Sequence, residues 1–192
     1  MLRRSIICLP LCLSGCIAPI ALGGIGVLGM STAEERGLQG FASDQALRVK
    51  LNFQLSNKLS DFAGIELTVY RGRVLLTGIV ANEQVKVDAV RIAKNVSGVR
   101  EVIDGMNVQG REGLSEYTRD AWMTTKLKAA LYVDQEVIAP NYTIRTFDKV
   151  IYVFGTAGTK EEMQRVIDHA CEITGVRKVV NLIEVQGESH KP

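Results

Sequence analysis

The chain has 192 residues, with 23 Lys and Arg against 21 Asp and Glu, a formal net charge of +2, four cysteines and two histidines. That length holds one ordinary domain or two small ones, and so even a balance of charge excludes the broad attraction to nucleic acid of a strongly basic chain. No Cys-x-x-Cys pair occurs, and beyond Cys16 no His/Cys cluster has metal-ligand spacing.

The chain opens with Arg3 and Arg4, then an apolar run from Ile6 to Leu13 interrupted by Pro10. A helix needs roughly 20 apolar residues to span a bilayer, so this run reads as a signal segment. It ends in Leu13-Ser14-Gly15-Cys16. A small residue beside the cut admits a peptidase, and only a thiol at position 16 can become a diacylglyceryl thioether. The stretch resembles the bacterial lipobox signals, which predicts removal of residues 1–15 and acylation of Cys16. Acyl chains bury methylenes at about 0.8 kcal/mol each, and two or more anchor stably. By the sorting rule of that signal family, Ile17 in place of Asp implies the outer membrane of a Gram-negative cell, on its periplasmic face.

Processing removes Arg3 and Arg4, leaving 21 basic against 21 acidic residues. It also removes Cys8 and Cys12, so Cys171 is the remaining free thiol and is expected to be buried on a helix.

Residues 16–43 read as the lipidated N-terminus and linker. Within them 17–30 are apolar and glycine-rich, and two readings stay open: a segment lying on the membrane surface, or a flexible tether. Ser43-Asp44 reads as an N-cap pair for a helix over 45–59 with Leu47, Leu51, Leu55 and Leu59 on one stripe. Strands are predicted at 65–70 and 74–80, the second apolar throughout as in a central strand. Asn82-Glu83 opens a helix to Val96, Ser97-Gly98 stops it, and a strand covers 99–108. After a linker at 109–115 the order returns: helix 116–132, strands 142–147 and 150–155, helix 160–173, Thr174-Gly175, strand 176–185, and a polar tail at 186–192.

Gly78 and Gly155 lie 77 residues apart, as do Gly98 and Gly175, while Leu51 and Leu127 lie 76 apart. Matched turn, cap and core signals at one offset argue for an internal duplication. The predicted fold is α+β: two tandem α-β-β-α-β units, 44–108 and 116–185, each a three-stranded mixed sheet covered on one face by two helices.

The repeated helix, the hairpin with glycine in its second strand (Leu-Leu-Thr-Gly78, Val-Phe-Gly155-Thr), and the closing Ser-Gly-Val-Arg-Glu-Val and Thr-Gly-Val-Arg-Lys-Val resemble the BON domain of bacterial envelope proteins. With Cys16 upstream the chain resembles the dual-BON outer-membrane lipoproteins. That resemblance implies a protein that preserves envelope integrity, contacts anionic phospholipid such as phosphatidylglycerol through its second domain, and gathers at the division site.

No nucleophile, base and orienting acid cluster in the sequence. His169 sits in the last helix and His190 in the tail, and Glu161 and Glu162 fall where a helix dipole favours acids. The chain is read as a non-enzyme without a cofactor. In the helix over 116–132, Met123, Leu127 and Leu131 share the core stripe and Trp122 falls about 100° to one side. Trp122 then either wraps the core rim or an interdomain contact, or sits at a lipid interface with Lys126 and Lys128 reaching phosphate. The family's lipid-contacting helix has a motif like Asp-x-Trp-x-Thr-Thr-Lys, matched by Asp120 to Lys126; the resemblance implies a membrane-facing set of Trp122, Thr125, Lys126 and Leu131, Tyr132 and Val133. Asp120, Asp134 and Glu136 would oppose anionic headgroups there unless they face away. The first unit has Ala46 in place of the tryptophan, and Val49 and Phe53, off its leucine stripe, are expected to contact the second unit or a protein partner. A periplasmic scaffold that recruits envelope proteins is the alternative function.

Overall fold

The computed structural model describes residues 37–59, 62–108 and 114–187. The signal segment, Cys16 and the 17–30 stretch lie outside the described residues. Two α-β-β-α-β units follow one another: α1 (Gly37–Lys58), β1 (Ile65–Tyr70), β2 (Arg73–Val80), α2 (Glu83–Lys94) and β3 (Glu101–Val108), then α3 (Leu114–Val133), β4 (Tyr142–Phe147), β5 (Val150–Ala157), α4 (Lys160–Cys171) and β6 (Lys178–Val185). In each unit the second strand is central, antiparallel to the first and parallel to the third.

Helix α1 starts at Gly37, ahead of the expected Ser43-Asp44 cap. Ser43 lies inside the helix and its hydroxyl donates back to the Gly40 carbonyl at 2.8 Å. Asp44 has a different task, because its buried carboxylate accepts from the Arg71 amide at 2.8 Å and the Gly72 amide at 3.1 Å. Those two residues turn the first hairpin with positive φ at both, 48° and 75°. A two-residue turn of that kind matches strand twist, and for Arg71 the left-handed backbone costs energy that the carboxylate offsets. The second unit repeats the device: Asp120 accepts from the Lys149 amide at 3.0 Å, and Asp148 and Lys149 have φ of 47° and 61°. The helices after the hairpins are capped as their sequences suggest, Asn82 accepting from Val85 and Thr159 from Glu162.

Period-two alternation sends the two faces of each sheet to different cores. Ile65, Leu67, Val74, Leu76 and Val80 meet Leu47, Leu51, Leu55, Ala89 and Ile92 of the helices. The opposite faces meet each other: Tyr70 and Leu75 of the first sheet pack with Phe147, Val150, Tyr152, Phe154 and Leu182 of the second. The central strands are more continuously apolar than their neighbours because both their faces are covered. The layers therefore run helices, sheet, sheet, helices.

Polar groups stitch the same interface. Arg73, 8% exposed, donates to Glu101 at 2.6 Å and across to the Leu182 carbonyl at 2.8 Å, with its guanidinium 5.7 Å from the Phe154 ring centre. The Tyr70 hydroxyl lies 3.4 Å from the Asn141 carbonyl and 3.3 Å from the Thr156 hydroxyl. Asn107 donates to Asp148 at 2.9 Å, and Glu66 pairs with Arg145. Val49 and Phe53 take no part: they are 68% and 63% exposed on the outer face of α1. The apolar contact between the units is made by the sheet faces and does not include these two side chains. Cys171, expected in a core, is exposed at the end of α4, where the buried stripe of Glu162, Val166 and Ala170 has rotated away from it.

At the outer edges, Asp104 accepts from the Met106 amide and Asn181 from the Ile183 amide, both at 3.0 Å. A side chain that occupies an edge amide hinders pairing with a foreign strand.

Gly105 of β3 permits a close sheet-to-sheet approach, because a Cβ there would stand 2.5 Å from the Tyr152 hydroxyl. Gly105→Ala is expected to lower stability by about 1–3 kcal/mol through overpacking, measured by urea unfolding. Tyr152→Phe in the same chain is expected to recover part of that loss; no recovery would place the strain elsewhere.

Candidate functional site

Helix α3 buries Asp120, Met123, Leu127 and Leu131 against its sheet, each at 5% exposure or less. Leu131 is thereby corrected from the membrane-facing set: a residue four after Leu127 returns to the same face, and it belongs to the core. The opposite face carries Trp122 at 45% exposure, Tyr132 at 64% and Val133 at 81%, with Ile138 at 50% just beyond the helix. Trp122 and Val133 are separated by about 16 Å along the axis, at about 1.5 Å per residue. Lys126 follows Trp122 by one turn, and its ammonium lies 5.7 Å from the indole centre. At a solvent-exposed position such a contact contributes about 0.5–1 kcal/mol, enough to hold the cation beside the ring. Lys128 is exposed. Thr125 is exposed, but its hydroxyl donates to the Ala121 carbonyl at 2.9 Å, and the residue lines a cleft between the units with Glu66 and Arg145. The structure thus brings Trp122, Lys126, Tyr132 and Val133 to one outward surface, with Lys128 and Thr125 on its flank.

Three carboxylates lie near this surface, and each is engaged. Asp120 is buried and holds the β4–β5 turn. Asp134 accepts from His169 Nε2 at 2.8 Å and from the Glu136 amide at 3.0 Å, with Arg165 3.8 Å away. Glu136 pairs with Arg165. The hydrogen bond from His169 first, then that from the Glu136 amide, hold the Asp134 carboxyl below the usual carboxylate range; burial opposes them, and the Arg165 charge is a smaller aid.

These contacts come from one face of α4. Glu162, Arg165 and His169 stand at i, i+3 and i+7, the spacing of a helical stripe. Glu162 is itself buried and accepts from the Ile138 amide at 3.0 Å and the Gly158 amide at 2.8 Å. Glu162 thus does more than favour the helix dipole, His169 has a structural partner that its place in the last helix did not reveal, and Arg165 carries no signal of its own in the sequence. The signal that finds them is the repeat: at the 77-residue offset the first unit has Val85, Asp88 and Ile92.

Among the described residues no cluster of three or more His, Cys, Asp or Glu could hold a metal ion, and no helix is long and apolar enough to cross a membrane.

A family model described as BON domain matches residues 43–110 and 119–187. The chain is 28% identical over 174 residues to outer membrane lipoprotein DolP of Haemophilus influenzae, spanning 90% of this chain and 89% of that one. It is 31% identical over 144 residues to an uncharacterized protein in the gshII 5' region of Anaplasma centrale, covering 74% and 95%. It is 28% identical over 145 residues to osmotically-inducible protein Y of Escherichia coli, covering 73% and 72%.

A carboxyl whose folded pKa is depressed stabilises the fold above its unfolded pKa and loses that contribution as pH falls through the folded value. Asp134→Asn is therefore expected to lower the Tm at pH 7, with the gap from the parent chain closing as pH falls below about 4, the ordinary Asp range. A gap that persists unchanged at acid pH would contradict the ionic role of Asp134.

Proposed function

The chain belongs to the BON-domain family, and on that premise we propose that it is a non-enzymatic outer-membrane lipoprotein whose second domain docks on anionic phospholipid. Residues 1–15 are the signal segment in this reading, acylated Cys16 is the anchor, and the two domains face the periplasm. The observation that carries it is the exposed Trp122 with Lys126 held beside its ring, on a helix whose far end exposes Tyr132 and Val133. An indole with an apolar body and one N–H suits the headgroup boundary, and a lysine beside it meets phosphate while its stem covers apolar surface. Phosphatidylglycerol is a lipid of the required charge. The first domain offers no such pair, having Ala46 where the second has Trp122.

The tether shapes how strong this contact has to be. Acyl chains at Cys16 supply membrane capture, and an effective concentration set by the linker lets a weak surface select lipid or position. Support of envelope integrity and enrichment at the division site are the roles that the resemblance to dual-BON lipoproteins implies for a protein so placed. A second reading, a scaffold for envelope proteins, is favoured by Val49 and Phe53, which stand exposed one turn apart on α1.

In the unacylated mature chain, carrying Cys16→Ser, Trp122→Ala is expected to weaken binding to vesicles containing phosphatidylglycerol by about tenfold, the equivalent of about 1.4 kcal/mol of lost aromatic burial. Vesicle sedimentation checks it. Equal binding with and without phosphatidylglycerol, unaffected by Trp122→Ala, would sink the lipid reading and leave the scaffold.

A further inference from the structure

The apolar end of the α3 surface, Tyr132, Val133 and Ile138, is interleaved with Asp134 and Glu136. Taken alone, residues 131–138 carry two acids, Asp134 and Glu136, and no base, so this end of the surface is net negative. A net-negative patch is repelled by an anionic bilayer, whose surface potential rewards bases and penalises acids. The charge that corrects this comes from another helix. Arg165 of α4 reaches both Asp134 and Glu136, and His169 donates to Asp134.

We propose that Arg165, supported by His169, sets the anionic-lipid preference of the α3 surface by offsetting one of the two carboxylate charges at its C-terminal end and holding both carboxylates toward α4. The inference deepens the lipid reading above and rests on it. Glu136 remains 70% exposed and Arg165 45% exposed, so the pair sits where a headgroup layer would feel its sum rather than in a core. The duplication points the same way. Where the second unit has Asp134 and Glu136 the first has Lys58 and Ser60, and where it has Arg165 and His169 the first has Asp88 and Ile92. The acids and the bases that meet them therefore occur together in the unit that also carries Trp122, and both are missing from the other. An ordinary surface ion pair contributes little to stability, which leaves the local charge as the property these residues change most.

The test compares the mature Cys16→Ser chain with Arg165→Gln, Arg165→Lys, and the double change Arg165→Gln with Glu136→Gln, on vesicles of phosphatidylcholine alone and of phosphatidylcholine mixed with phosphatidylglycerol. Removing one positive charge near the surface is expected to weaken binding to the mixed vesicles about fivefold, with phosphatidylcholine binding unchanged. Arg165→Lys is expected to keep parent binding, and Glu136→Gln to restore it in the Arg165→Gln chain. Unchanged preference in Arg165→Gln would overturn the inference, as would an equal loss on both vesicles that Glu136→Gln does not repair, which marks a structural role. A parent chain with no preference for phosphatidylglycerol would remove the lipid reading itself and this inference with it, an outcome distinct from failure of the arginine alone.

Discussion

The packing of one sheet against the other is the constraint on which the rest depends. Tyr70 and Leu75 meet Phe147, Tyr152 and Phe154 across the unit boundary, and a fully buried side chain of this size is worth about 1.5–3 kcal/mol relative to exposure. Once the inner faces are spent on each other, both pairs of helices lie on the outside. The outward sides of α1 and α3 are then left to water or to a partner. Arg73 shows how tightly the boundary is specified, since its buried guanidinium is satisfied by Glu101 from its own unit and by the Leu182 carbonyl from the other. Stripping one partner from a buried charge is costly, so relative sliding of the units is opposed by polar contacts as well as by area.

Duplication supplied two copies of a scaffold, and the differences between copies mark where function has been added. Both units hold a left-handed hairpin turn with an aspartate from their first helix, Asp44 or Asp120. Asp120 in the Asp-x-Trp-x-Thr-Thr-Lys stretch is therefore explained by the turn it supports, and its charge faces inward. Trp122, Lys126 and the α4 stripe of Glu162, Arg165 and His169 have counterparts of different chemistry, except that Lys50 stands at the place of Lys126. A lysine alone is common to both surfaces; the indole beside it is not.

Much of this fold was legible from periodicity and punctuation. The strands over 65–70 and 142–147 fall where alternation put them, and Asn82 opens its helix as short-range chemistry requires, whereas the helices end at Lys94 and Cys171, ahead of the turns that hold Gly98 and Gly175 with positive φ. What covered the second face of each sheet was not legible, because an unbroken apolar strand states that both faces are buried without naming the neighbour. Leu131 was grouped with Tyr132 and Val133 by adjacency, although 100° per residue separates them on a helix. The α4 stripe escaped because ionisable residues on a helix surface are usually solvated, and only the folded contact across 24 to 35 residues gives them a common task.

The central claim is that the outward face of α3 enters the headgroup boundary of an anionic membrane. The chain contains a single tryptophan, so its emission reports on Trp122 without ambiguity. The most direct measurement is the fluorescence of the mature chain titrated with vesicles carrying a bromine-labelled acyl chain, with phosphatidylglycerol either present or left out. A blue shift and quenching that depend on phosphatidylglycerol are the predicted result. Emission that stays at its solution position, unquenched on both vesicles, would contradict the account.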